Sequence, residues 1–144
     1  MAKITGSFSG RVKAQTNFAL SDATNHDLGI VEVSGPQTTS DPLWSDTTIT
    51  YWGTADLVAG NGPQRGYWIN QHANGDTDWG TFEGKITTSG GQTTMAGTYK
   101  WMGGTGKLKG ISGGGKYKGR FPSAVEVVND WEGEYQIAKA KGAK

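Results

Sequence analysis

Apolar and polar residues alternate along most of this chain with a period of two, the spacing of strands that bury one face. From Lys3 to Lys13, one face carries Ile4, Gly6, Phe8, Gly10 and Val12, and the other carries Lys3, Thr5, Ser7, Ser9 and Arg11. Asn17 to Asn25 holds turn and cap residues (Ser21, Asp22, Asn25) and is read as a turn with one helical turn at most. Further strands are expected over Leu28–Thr38, Thr47–Val58 and Arg65–Ala73. They are separated by Thr39–Pro42, by Ala59–Pro63 with its Asn-Gly pair, and later closed by Asn74–Asp76. Trp79–Thr88 and Thr93–Met102 form a hairpin around Ser89-Gly90-Gly91-Gln92. Symmetry about the Gly-Gly pair sets Phe82 against Tyr99, Gly84 against Gly97 and Ile86 against Met95, all on one face. Gly103–Leu108 reads as a corner or a single helical turn. Gly110–Phe121 is the seventh strand, broken by Pro122-Ser123, and Glu126–Ile137 is the eighth. In the eighth, Trp131, Gly133, Tyr135 and Ile137 share a face. The basic tail Ala138–Lys144 is expected to fray.

Eight short strands without a sustained helical period indicate an antiparallel sandwich or barrel. A recurrent glycine–x–aromatic step selects the barrel. It occurs at Gly6–Phe8, Gly80–Phe82, Gly97–Tyr99, Gly115–Tyr117 and Gly133–Tyr135. Residues two apart share a face, so each step sets bare backbone beside a ring, and a ring on one strand can lie over a glycine of the next. Glycine also permits the sharp bending of a small closed sheet. The expected fold is therefore all-β: one domain over residues 1–144, a single eight-stranded antiparallel up-and-down barrel with a short helical turn or two.

Composition narrows the function classes. The chain has 144 residues, 24 of them glycine and six tryptophan, and no cysteine. Disulfides, thiolate nucleophiles and cysteine zinc sites are excluded. A net charge of +1 argues against nucleic acid or an anionic membrane as partner. The N-terminus has no apolar signal-like core and no apolar run approaches the ~18–20 residues of a membrane helix, so a soluble, cytoplasmic protein is expected. Gly106-Lys107 is followed by Leu108 and preceded by Trp101 where a phosphate loop needs glycine, which excludes a nucleotide-binding loop. Lys107, Lys109, Lys116, Lys118 and Arg120 read as the solvated face of an amphipathic strand and its approach. No G-x-S-x-G elbow is present.

The run Gly103-Gly104-Thr105-Gly106-Lys107-Leu108-Lys109-Gly110, followed by Gly113-Gly114-Gly115-Lys116-Tyr117, resembles a GGTG-x-[FL]-x-G…G-x-Y segment of allene oxide cyclase-like and dirigent-like proteins. The resemblance implies a lipocalin-like, calycin-type barrel of eight strands whose lumen holds a small apolar molecule. It also implies a homo-oligomer, dimer or trimer. The activities it brings are cofactor-free cyclisation of reactive intermediates and steering of radical coupling. It covers roughly fifteen residues of structural character, and no catalytic residue carries over.

Candidate site residues come from facing. In Thr47–Val58 the even positions are Thr50, Trp52, Thr54 and Asp56, and in Arg65–Ala73 they are Trp68, Asn70 and His72. An in-register turn places Trp52 and Trp68 together with Asn70 and His72 on a lumen wall, broad apolar surface with a few polar groups. His72 is then the general acid or base, with Asp56 or Glu32 as its partner. The opposite facing puts Tyr51, Gly53, Ala55 and Leu57 inside with Tyr67 and Ile69, and a one-residue bulge near Gly60–Gly62 would mix the two. The first facing gives catalytic candidates His72, Asp56 and Glu32, and ligand-binding candidates Trp52, Thr54, Trp68, Asn70, Tyr99, Trp101, Tyr117, Trp131 and Tyr135. No cofactor is expected. Two histidines without metal-binding spacing give no metal site, and His26 reads as a surface-loop residue unless the fold brings it to His72 and a carboxylate.

Three functions fit: a cofactor-independent isomerase, cyclase or lyase on a small apolar or aromatic substrate; a non-catalytic binder of such a molecule; or a carbohydrate-binding module using exposed Trp44, Trp79 and Trp101. A lumen lined only by rings, threonines and amides favours the binder. A lumen filled by its own rings would leave no site.

Overall fold

The computed structural model describes residues 1–138; the expected fraying of the tail falls largely on 139–144, outside the described residues. Eight strands follow in order: β1 (Ala2–Leu20), β2 (His26–Thr39), β3 (Thr47–Val58), β4 (Gly62–His72), β5 (Thr77–Ser89), β6 (Gln92–Gly104), β7 (Ile111–Ser123) and β8 (Glu126–Ile137). Each pairs antiparallel with the next, and β1 pairs with β8 from Ala2–Tyr135 to Arg11–Glu126, which closes the barrel. Single 3-10 turns, Pro42–Trp44 and Gly106–Leu108, are the helical elements among the described residues. None is long and apolar enough to cross a membrane.

Rings over glycines build the curvature. A side chain at Gly6 would occupy the space of the Trp131 indole, and one at Gly133 would meet the Tyr99 hydroxyl. Two further glycine–x–aromatic steps, Gly66–Trp68 and Gly119–Phe121, belong to the same pattern. The Ser89–Gln92 hairpin has the expected register, with Phe82 opposite Tyr99, Gly84 opposite Gly97 and Ile86 opposite Met95. The core fills the barrel in layers. Ile4, Trp44, Leu108 and Ile111 close one end, aromatic side chains occupy the middle, and Val33, Ile86, Met95 and Val127 pack towards the other end.

Two expectations are corrected. Asn17–Asn25 contains no helix, because β1 continues to Leu20 and pairs with β2 down to Leu20–His26. A bulge between Val12 and Ala14 shifts the register, so alternation changes phase there and the second half of the strand is hidden from a period-two reading. The β3–β4 facing is also neither of the two considered. The turn is the two-residue Ala59-Gly60, both at positive φ (53° and 81°), with Val58 and Asn61 exchanging backbone bonds of 2.9 and 3.0 Å. An even turn pairs odd with even positions: Tyr51 opposes Trp68, Ile49 opposes Asn70 and Thr47 opposes His72. The interior therefore receives Ile49, Tyr51 and Gly53 from β3 with Trp68, Asn70 and His72 from β4. Trp52, Thr54 and Asp56 stand on the outer face.

Candidate functional site

A narrow cavity of about 60 Å³ lies within the aromatic layer. Phe8, Tyr51, Phe82, Tyr99, Tyr117 and Trp131 are among the rings that bound it, and Trp68 and Trp101 complete the aromatic wall. The polar wall groups are three amides, Gln37, Asn70 and Asn129, together with the tyrosine hydroxyls. Neighbouring rings meet edge to face: Tyr51 with Phe82 at 5.5 Å, Phe82 with Tyr117 at 5.9 Å, and Tyr99 with Trp131 at 5.7 Å between centroids. That geometry sets hydrogen-rich edges against electron-rich faces and fixes each ring's tilt. Burial raises the pKa of the Tyr51, Tyr99 and Tyr117 phenols, so they remain neutral donors at physiological pH.

The amides are set in one direction. Trp131 Nε1 donates to Gln37 Oε1 (3.1 Å), Gln37 Nε2 donates to Asn70 Oδ1 (3.2 Å), and Asn70 Nδ2 donates to Asp78 Oδ2 (3.0 Å). Each donor points towards a carboxylate that is 0% exposed. Asp78 also accepts from Trp101 Nε1 at 2.8 Å and from Trp44 Nε1 at 3.2 Å to each oxygen. His72 completes the knot: Nε2 lies 2.6 Å from Asp78 Oδ1, and Nδ1 lies 3.1 Å from the Leu43 carbonyl. A carbonyl only accepts, so Nδ1 carries a proton. A ring nitrogen and a carboxylate oxygen at 2.6 Å likewise need a proton between them. Charge-assisted bonds of this kind hold a buried carboxylate that would otherwise be costly.

The same knot seals the barrel end. Asp41 caps the Pro42–Trp44 turn by accepting from Leu43 N at 3.0 Å, and its other oxygen accepts from the Tyr135 hydroxyl. Burial and this bond to Asp41 push the Tyr135 pKa up to about 12. Trp44, 1% exposed, packs edge to face on Tyr135 at 5.0 Å and donates to Asp78. The closing turn is thus tied to β8 and to β5 at once.

Of the residues singled out from the sequence, Trp68, Asn70, Tyr99, Trp101, Tyr117 and Trp131 lie on the cavity wall. Tyr135 lies in the sealed end. Trp52 is on the outer face, donating to Glu32 Oε1 at 2.7 Å, and Thr54 there donates to the Arg65 carbonyl at 3.2 Å. The expected grouping of His72 with Asp56 or Glu32 does not form, because the two-residue β3–β4 turn sends Asp56 outward and Glu32 lies opposite Trp52 on the same outer side. Asp56 instead meets His26 Nε2 at 2.5 Å, with Asp22 on Nδ1 at 2.5 Å. His26 and His72 belong to separate clusters. The stacking role expected of exposed Trp44 and Trp101 fails as well, since both are buried, and Trp79 lies over Gly103 on the outside, 37% exposed.

Sequence reasoning missed Asp78, Gln37, Asn129 and Phe8 at this site. Asp78 has the inward parity of Gly80 and Phe82 but falls between the Asn74–Asp76 turn and the strand expected from Trp79. Gln37 shares the parity of Val33, and Asn129 that of Trp131; an inward polar residue on an otherwise apolar face was the signal available. Among the described residues two buried polar atoms lack a partner, Tyr99 Oη against Gly133 and Asn129 Oδ1 against Gly119, and both residues line the cavity.

No protein-family model matches this chain, and no curated protein matches its sequence. Two solved structures share its shape. One is a protein of unknown function from the DUF3224 family of Shewanella oneidensis MR-1, with TM-score 0.56 and 14% identity over 96% of this chain and 99% of the other. The second is the pterocarpan synthase dirigent protein GePTS1, with TM-score 0.51 and 14% identity over 98% of this chain and 90% of the other. At that identity the likeness concerns fold, and the fold of this chain is a dirigent-like eight-stranded barrel.

Proposed function

We propose that this protein binds a small, uncharged apolar or aromatic molecule in the lumen of its barrel. The observation that carries the reading is the make-up of the cavity wall, a continuous set of aromatic rings interrupted by the amides Gln37, Asn70 and Asn129. Among the described residues no charged side chain lines the cavity, so an ionic ligand would enter without compensation. At about 60 Å³ the free space is smaller than the pockets that enclose aromatic ligands, so binding requires the wall rings to move apart.

The enzymatic alternative, a cofactor-free isomerase, cyclase or lyase of the dirigent-like or allene oxide cyclase-like kind, draws on His72 and Asp78. Both are absent from the cavity wall, and their polar atoms are already engaged. The geometry therefore favours binding over acid–base catalysis.

The test is titration of naphthol and of naphthoate against the protein's tryptophan fluorescence, with native mass spectrometry of co-purifying compounds. Naphthol is expected to quench and to bind at least tenfold more tightly than naphthoate, and Asn129→Leu to weaken it. Equal affinity for the two, or binding unaffected by a cavity-filling Met95→Trp change, would remove the proposal. Turnover of a co-purifying compound that is lost in His72→Gln would favour the enzyme instead.

A further inference from the structure

Beyond the barrel rim β1 continues with β2 on one side and, among the described residues, no strand on the other. Pairing with β8 ends at Arg11–Glu126, and the last backbone bond on that side runs from Val12 N to Val125 O at 2.9 Å. The free edge Ala14–Leu20, AQTNFAL, contains no charge, proline or glycine. Charge and proline ordinarily guard an edge against pairing, as does a β-bulge, which here precedes the free stretch at Lys13. The bulge at Lys13 lies inboard of this stretch and reverses its facing. As a result Phe18 and its register partner Leu28 point outward with Ile30, at 63%, 43% and 48% exposure.

We propose that two copies of this chain associate about a two-fold axis by antiparallel pairing of their Ala14–Leu20 edges, which joins the two overhanging sheets into one. An antiparallel edge is self-complementary under a two-fold, so the contact closes at two copies instead of growing into a filament. Pairing centred on Asn17 sets Ala14 of one copy against Leu20 of the other, Gln15 against Ala19, Thr16 against Phe18, and Asn17 against itself. No like charges face each other along this ladder. At its ends Lys13 of each copy comes beside the Ser21-Asp22 turn of the other, which is a complementary charge. The two Phe18 rings become diagonal neighbours, ~7–8 Å apart at the backbone and within reach of one another. At ~3.4 Å per residue the shared ladder is about 24 Å long, flanked by the Leu28 and Ile30 side chains.

Sedimentation velocity and single-cysteine cross-linking test this. The wild-type chain is expected to sediment as twice its 15.3 kDa mass. Thr16→Lys with Phe18→Lys is expected to sediment as a monomer with an unchanged far-UV spectrum. The chain has no cysteine, so Asn17→Cys reports its own surroundings: mild oxidation is expected to link it to a second copy, while Lys118→Cys on the far outer face stays monomeric. The cross-linking arm stands even if the double lysine variant fails to fold. A wild-type chain that remains monomeric at ~1 mM overturns the proposal. So does a trimer, a dimer that survives both lysines, or equal cross-linking at Asn17→Cys and Lys118→Cys.

Discussion

The molecule contains two histidine–carboxylate clusters, and they differ in almost everything but their chemistry. His72 and Asp78 have side chains 5% and 0% exposed, and Asp78 gathers donors from Trp44, Asn70 and Trp101 besides the histidine. His26 lies on the outer face between Asp22 and Asp56, whose side chains are 67% and 54% exposed. Inside, removal of one member leaves several groups dry and unpartnered. Outside, water replaces whichever partner is lost, so the same bond length carries much less weight. Distance alone would rank the clusters equal; burial separates them.

Asp78→Ala is expected to break the comparison most strongly. It strips four donors of their acceptor, and by analogy with breaking a buried ion pair it should destabilise by about 3–5 kcal/mol in urea unfolding at constant m-value. A loss below about 1 kcal/mol would mean that the knot is not structural. His72→Gln is expected to cost less, about 1–3 kcal/mol, because the amide can still donate to Asp78 while the Leu43 carbonyl loses its donor.

The smallest effect is expected at His26, and it depends on pH. Hydrogen bonds that its ring donates to Asp22 and then Asp56 raise its pKa, and the bond accepted from His26 lowers that of Asp22. A raised histidine pKa contributes stability that is complete below the ordinary value of 6.5 and disappears as pH climbs through the folded value. A lowered carboxylate pKa contributes above the ordinary value of 3.8 and is lost as pH falls through the folded one. The cluster therefore contributes fully between about 3.8 and 6.5 and fades on either side. Thermal unfolding of His26→Gln is expected to lie below wild type inside that window and to converge on it in alkali. A constant difference across pH would show that His26 acts through packing. Since Ala59 N donates to Asn25 O at 2.9 Å beside it, the β1–β2 turn stays attached to the β3–β4 turn in either case.

Much of the fold was legible because strand periodicity is a local property. The eight strands follow from alternation and turn residues, and the closed barrel from rings spaced two residues after glycines. The Ser89–Gln92 hairpin could be paired residue by residue because both of its strands are apolar on one face only. The β3 strand resisted, since Ile49, Tyr51 and Gly53 on one face and Thr50, Trp52 and Thr54 on the other are both plausible linings. Six of the nine ligand-site candidates reached the cavity wall, and the failures at Trp52 and Thr54 share that one cause.

Period-two chemistry, readable from the amino-acid order, determined the strand count, the barrel and its aromatic filling. Only the tertiary structure decided which face of β3 turns inward, because a two-residue turn and a three-residue turn differ by a parity that composition does not encode. It alone also assembled the Asp78 knot, in which Asn70 and His72 reach the carboxylate across the β4–β5 hairpin, Trp101 reaches it from β6, and Trp44 from the turn before β3. A buried carboxylate looks like a turn residue until its donors arrive from elsewhere in the chain.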